Sequence, residues 1–255
     1  MWKHQRALVP IALAFAALAP ICSAQQLIVG SGASFSLGSS TVDAGCNDLQ
    51  IAGTLDLGTG TLRNVRDAGA GGTLRGGTGT LSLSGDLALG SSLQAQNGTV
   101  RVADGCGRTQ TRVSGDHQFH RLSVQTDNGH TLVLPAGGTQ FIASALDLIG
   151  GVQRLLLRSN APGAVSFLAL AFSGAQSIQR VDARDVGAPI AAQYLAPNDP
   201  AFYNSIDQGN TPRFFQSDDQ ILPVPALTPI GLLLLLLSMA AIAVVPLRHS
   251  AQGNA

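Results

Sequence analysis

The 255-residue chain contains no glutamate, and its one lysine is Lys3. Lys and Glu normally populate exposed helix faces, so their absence beside 30 Gly and frequent Thr and Ser argues against a helical protein. Between residues 25 and 223, fifteen Asp stand against twelve Arg, a net of −3 with His neutral. A weakly charged, slightly acidic surface excludes nucleic acid as the partner, because phosphate binding needs a basic stripe. Aromatics are only 5% of the chain. The 45% apolar content is nonetheless ample for a core and excludes wholesale disorder.

The apolar residues concentrate first at the two ends. Lys3 and Arg6 precede the apolar run Ala7–Ala19 and then Pro20-Ile21-Cys22-Ser23-Ala24. This is the order of a secretory signal peptide, residues 1–24, cleaved between Ala24 and Gln25. Lipidation at Cys22 is the rival, but it calls for a small residue where Ile21 stands. At the other end Val224-Pro225-Ala226-Leu227 leads into residues 230–247, then Arg248-His249 and a short tail, 250–255. Eighteen uncharged, mostly apolar residues reach about 27 Å as a helix, enough to cross a hydrocarbon core. Arg248 supplies a stop-transfer charge. The expected location is therefore outside the cytoplasm, membrane-anchored.

The order of short Pro motif, span and basic end over residues 224–249 resembles the IPTL-CTERM sorting signals of bacterial surface proteins, relatives of the PEP-CTERM tails. Ala226 stands where Thr is usual, and Arg248-His249 replaces an arginine cluster. The resemblance implies an exosortase-type sorting peptidase as a partner and display at the cell surface.

Between the ends the chain repeats. Gly53-Thr54-Leu55 recurs as Gly72-Thr73-Leu74 and as Ser91-Ser92-Leu93, 19 residues apart. Gly60-Thr61-Leu62 recurs as Gly79-Thr80-Leu81 and Gly98-Thr99-Val100 at the same interval, and Thr41-Val42 lies 20 before Thr61-Leu62. Within each copy, Leu49-Gln50-Ile51, Leu55-Asp56-Leu57, Leu81-Ser82-Leu83 and Leu87-Ala88-Leu89 alternate with period two, the mark of short half-buried strands. So short a unit cannot bury its own apolar face and must stack on its neighbours. The expected fold is all-β, a right-handed parallel β-solenoid with its repeat body over residues 25–188, the roughly 200 residues between the two ends making nine or ten rungs, roughly 45 Å long at a ~4.8 Å spacing. An antiparallel β-sandwich is the alternative.

Past Cys106 the repeat loosens, and strands are expected at His120–Val124, Thr131–Leu134, Ala145–Leu148, Leu155–Arg158 and Ser177–Val181. This half resembles a module of large β-helical bacterial surface proteins. The likeness is carried by Gly105-Cys106-Gly107, residues 131–140, Leu157-Arg158-Ser159, Gln176-Ser177-Ile178 and residues 181–185. It implies fold and location and names no chemistry. Residues 189–223, punctuated by Pro and Asn, read as a cap and linker. Tyr194, Phe202, Tyr203, Phe214 and Phe215 would plug the open end of the coil.

Candidates for chemistry are sparse. Cys46 and Cys106 remain after signal removal, and an exported chain with two cysteines invites a disulfide. Sixty residues is three rungs, however, or ~14 Å, against a limit of about 7 Å between bridged Cα atoms. Two separate buried thiols are favoured over the bridge. His117 and His120 point to opposite faces of a strand, and with His130 they read as exposed residues, so no metal is expected. No nucleophile elbow is present. Asp182 and Asp185 are the one acid pair open to a polysaccharide-cleaving reading, with turn capping the plainer account. Thr59-x-Thr61 and Thr78-x-Thr80 sit one period apart and would align hydroxyls on one face, as a ladder or simply as a solvated surface. The expectation is a non-catalytic, cofactor-free, adhesin-like surface protein meeting glycans or neighbouring surface proteins. A glycan-binding or polysaccharide-cleaving β-helix protein is the runner-up.

Overall fold

The computed structural model describes residues 26–216, and every strand ladder in it is parallel. That excludes the antiparallel sandwich. The first rung is β1 (Gln26–Val29), β2 (Ser34–Ser36) and β3 (Thr41–Asp43). The second is β4 (Asp48–Ile51), β5 (Thr54–Asp56) and β6 (Thr61–Val65). The third is β7 (Ala68–Ala70), β8 (Thr73–Arg75) and β9 (Thr80–Leu83), and the fourth is β10 (Leu87–Ala88), β11 (Leu93–Gln94) and β12 (Thr99–Ala103). Stacking these rungs gives a three-sided solenoid whose faces are β1-β4-β7-β10, β2-β5-β8-β11 and β3-β6-β9-β12.

The sequence markers fall on one another in this stack. Thr54 pairs with Thr73, Leu74 with Leu93, and Thr41, Thr61, Thr80 and Thr99 form one continuous column. The alternating leucines point inward and also stand in columns, such as Leu55, Leu74 and Leu93. Each leucine buried this fully contributes about 1.5–3 kcal/mol. Glycine closes the corners. Gly58 and Gly77 adopt left-handed φ of 58° and 56° in successive turns, and a side chain at Gly77 would run into the Gly58 carbonyl one rung away.

From the fifth rung the short side facing β11 is lost, and each turn is made of fewer, longer strands. Here β13 (Gln110–Arg112), β15 (Thr131–Leu134), β17 (Leu155–Ser159), β20 (Val181–Arg184) and β22 (Ile206–Asp207) form one sheet. The other extends β12 through β14 (Gln118–Thr126), β16 (Thr139–Gly150), β18 (Ser166–Leu170) and β21 (Val186–Gly187), with β19 (Ala175–Gln179) beside β16. The rung lengthens accordingly: Val100 pairs with Leu122, and Leu122 with Leu146. The stack therefore holds about eight turns rather than the expected nine or ten. The expected strand Ser177–Val181 is split, because Arg180 takes a left-handed φ of 54° between β19 and β20. The period-two reading passed over β13 and β18.

Beyond the last full turn Leu195, Phe214 and Phe215 are buried in the same continuous core, and the two phenylalanines stack at 4.3 Å. Arg213 lies over the Tyr194 ring at 3.8 Å. Tyr203 packs partly buried against this end, whereas Phe202 is 75% exposed and plugs nothing.

The cysteine expectation is corrected. Cys46 and Cys106 are disulfide-bonded, with Cα atoms 5.2 Å apart, and both are half-buried at the edge of the stack. The three-rung distance applies only to residues that stay in their rungs. Residues 104–109 leave the coil after β12 and fold back along its flank, where Arg108 pairs with Asp67 two rungs earlier. Cys46 reaches up to meet this excursion: its N–H donates to the carbonyl of Asn64 in the second rung, and the Cys106 disulfide sulfur lies 3.8 Å from the same oxygen. The bridge closes a 60-residue separation. Reduction, or Cys106→Ser, should lower the unfolding free energy by about 2–4 kcal/mol in urea titration. A loss below about 0.5 kcal/mol would show that the bridge does not constrain the chain.

Candidate functional site

The two charged residue types of the body, Asp and Arg, are engaged in holding turns and rungs together. Asp43, Asp56, Asp199 and Asp207 each accept the backbone N–H two residues on, the Asx-turn arrangement. A second set reaches across to the next rung. Asp67 accepts the N–H of Asp86 at 2.7 Å, Asp86 that of Arg112 at 2.9 Å, and Asp116 that of Thr139 at 2.9 Å. Arginine does the same from the other side: Arg66 is bidentate to Asp48, both contacts 2.7 Å. These bonds hold the Asp48 carboxyl below the ordinary carboxylate range.

The candidate acid pair belongs to this framework. Asp182 accepts from Arg158 at 2.8 Å and from Gln208 at 3.3 Å. Asp185 sits buried in a left-handed turn, accepting the Asn210 amide at 2.6 Å and the Gly163 N–H at 3.1 Å. Those two hydrogen bonds depress its pKa, which suits a permanent acceptor rather than a proton donor.

The histidine expectation is corrected as well. His120 is half-exposed, but His117 and His130 are 2% and 1% exposed. Gly90 N–H donates to His117 Nε2 at 2.9 Å, so the ring proton lies on Nδ1 and is donated to Gln140 Oε1 at 3.0 Å. Gln140 is itself buried and donates to the Gly115 carbonyl. His130 Nε2 meets Thr111 Oγ1 at 2.9 Å. Nothing in the local strand pattern signals this burial. The partners come from neighbouring turns, 19 to 27 residues away. Among the described residues no three His, Cys or Asp gather as a metal-ligand set.

Two surfaces along the sides of the stack are open to a partner. The first is the hydroxyl column Thr41, Thr61, Thr80 and Thr99 on the outward face of β3, β6, β9 and β12, twice the length of the expected two-step ladder. Thr59 and Thr78 flank it from the adjoining corner, where their N–H groups bond Gly38 and Gly58. The second is a notch where the face ending at β11 has no successor. A cleft of about 410 Å³ runs between Gly90-Ser91 and Asp116–Gln118, walled by Thr139 and Phe141. It adjoins a second of about 290 Å³ lined by Gln94, Gln96, Gln118, His120 and Phe141. Phe141 is 44% exposed, with Gln118 beside it one rung earlier.

Ala24, Gln25, the motif Val224-Pro225-Ala226-Leu227, Arg248, and the segments 1–24 and 230–247 lie outside the described residues. Among the described residues no helix is long and apolar enough to cross a membrane. Comparison with protein-family models, curated proteins and solved structures returned no match.

The buried histidines make stability depend on pH. Burial pushes both pKa values below the ordinary 6.5, so below that pH the unfolded chain binds protons that the folded state refuses. Their contribution is complete above about pH 6.5 and is lost as the pH falls through it towards the depressed folded values. The melting temperature should fall between pH 7.5 and 5, and His117→Gln, less stable at pH 7.5, should show a shallower fall. An equal slope in the variant would remove His117 as the cause.

Proposed function

We propose that this chain is an exported, membrane-tethered surface protein that works by display and contact rather than by catalysis. In this reading the leader 1–24 is removed before Gln25. A right-handed solenoid stands outside the cytoplasm, and the signal 224–249, with its span 230–247, holds the chain or hands it to an exosortase-type peptidase. The observation that carries the reading is the regular outward face: four threonines in register on an uninterrupted parallel stack. Such a face favours multivalent hydrogen bonding from Thr, Ser and Asn to glycans or neighbouring surface proteins, since most of the charge is engaged within the rod.

The sorting step is tested by intact mass on fractions of the native host. A mature chain ending near residues 224–229, in an outer or released fraction, is expected. A chain running from Gln25 to Ala255 in the inner membrane would remove the peptidase. Deleting 224–255 should abolish surface display, and an unchanged location would remove the tether.

The notch favours a second, glycan-binding reading of the same scaffold. Exposed amides at Gln94, Gln96 and Gln118 beside the Phe141 ring offer both hydrogen bonds and a flat apolar face to a neutral, hydroxyl-rich ligand. On that reading Phe141→Ala weakens binding to a surface polysaccharide by roughly two- to twelvefold, the ~0.5–1.5 kcal/mol of one ring contact. Unchanged affinity in equilibrium binding would discard the notch.

A further inference from the structure

The two ends of the stack are built differently. At the C-terminal end Phe214 and Phe215, 0% and 3% exposed, close the core. At the N-terminal end nothing among the described residues does so. Each of β1, β2 and β3 has a neighbour on one side only, leaving three strand edges with unpaired backbone groups. Phe35 makes the defect visible. It stands in the inward column that continues as Leu55, Leu74 and Leu93, none more than 7% exposed, yet it is itself 49% exposed. A cavity of about 330 Å³ opens there, lined by Leu27, Phe35, Leu37, Val42, Leu55 and Leu62. Open apolar edges of this kind are pairing sites for another chain unless something blocks them.

We propose that the N-terminal rung is a docking surface for a second copy of this chain, joined end to end across a two-fold axis. The inference rests on the reading above, in which cleavage leaves the mature chain beginning at Gln25, one residue ahead of β1, so no upstream segment can fold over the end. The downstream chain leaves from the opposite end, about eight turns or ~38 Å away, and on that reading is taken up by the membrane or the sorting peptidase. A second copy matches chemically. The surface is apolar, and the charge at its corner, Asp43, is already paired with Arg63 at 3.1 Å, so like charges do not oppose each other. Symmetry selects the arrangement. Head-to-tail stacking would build a filament, but the closed C-terminal end cannot receive an open one, which leaves the closed two-fold pair. An axis bisecting one of the three strands sets that strand antiparallel to its own copy, supplying the missing ladder. Since the tether leaves from the closed end, the open end faces away from the membrane, and its partner arrives from a facing surface.

The test uses the exported full-length chain, tail retained, purified in detergent. Light scattering with the detergent mass separated gives the oligomeric state, and intact mass gives the N-terminus. A dimer beginning at Gln25 is expected. Phe35→Asp and Leu27→Asp should each be monomeric, with an unchanged β-sheet circular dichroism spectrum and an intact Cys46–Cys106 bridge. Phe202→Asp, at the other end, should remain dimeric. A monomeric wild-type chain overturns the proposal, as does a retained leader, or a dimer lost in Phe202→Asp and kept in the two N-terminal variants. Phosphatidylcholine vesicles carrying the full chain should then aggregate, and those carrying Phe35→Asp should not. A dimer in detergent without vesicle aggregation would overturn the facing-surface geometry while leaving the docking surface standing, so failure of the display reading and failure of the interface give different results.

Discussion

In a parallel stack each strand has hydrogen-bonding partners only in the turns before and after it, and each side chain stands on its equivalent ~4.8 Å away. Like therefore sits on like. Leucine on leucine is favourable without limit, and the columns Leu55–Leu74–Leu93 and Leu62–Leu81–Val100 form the core. Charge on like charge is not. The outward positions answer by alternation: Asp43 is followed by Arg63, and Asp56 by Arg75. Where two arginines do stack, Arg158 on Arg184, each has a carboxylate of its own in Asp182 and Asp185. This gives a physical sense to the unusual composition. A short aspartate has one rotatable bond fewer to freeze than glutamate, and the planar guanidinium meets it as a preorganised fork that a lysine ammonium lacks.

The loss of one short side after the fourth turn organises much of the remaining surface. It leaves the notch beside β11, and Gly90 at that edge finds its partner in the buried ring of His117. The 104–109 excursion lies at the same level of the stack, just before the coil is rebuilt with longer strands. A polar cleft, a buried histidine network and a covalent brace thus gather around one change of cross-section.

Most of the first four turns could be read from residue order, because the Thr and Leu markers recur at the interval that sets the pairing. Thr61 and Thr80 were expected one period apart, and they are paired neighbours. The second half was harder for a definite reason. Rungs of unequal length have no fixed period, so β18 and β13 leave no repeating mark. The cysteines show a different limit. Periodicity describes residues inside the coil, and Cys106 lies on a segment that departs from it. The glycines on either side of Cys106 were the available hint of that departure. The burial of His117 and His130 depends on Gln140 and Thr111, which become neighbours only once the turns have stacked. Of the acid pair, Asp185 is the turn residue expected, accepting the Gly163 N–H, whereas Asp182 lies within β20 and is held by the side chains of Arg158 and Gln208.

A protein held at one end and gripped at the other is loaded along its length, and the Cys46–Cys106 link decides how it would yield. The backbone from residue 47 to 105 lies inside a covalent loop, so tension applied through the termini bypasses it. That removes nearly 60 residues, roughly 200 Å of extended chain, from the slack such a molecule could release. The turns outside the loop remain free to peel away one by one. The reducing state of the surroundings would thereby set the reach of the stretched molecule.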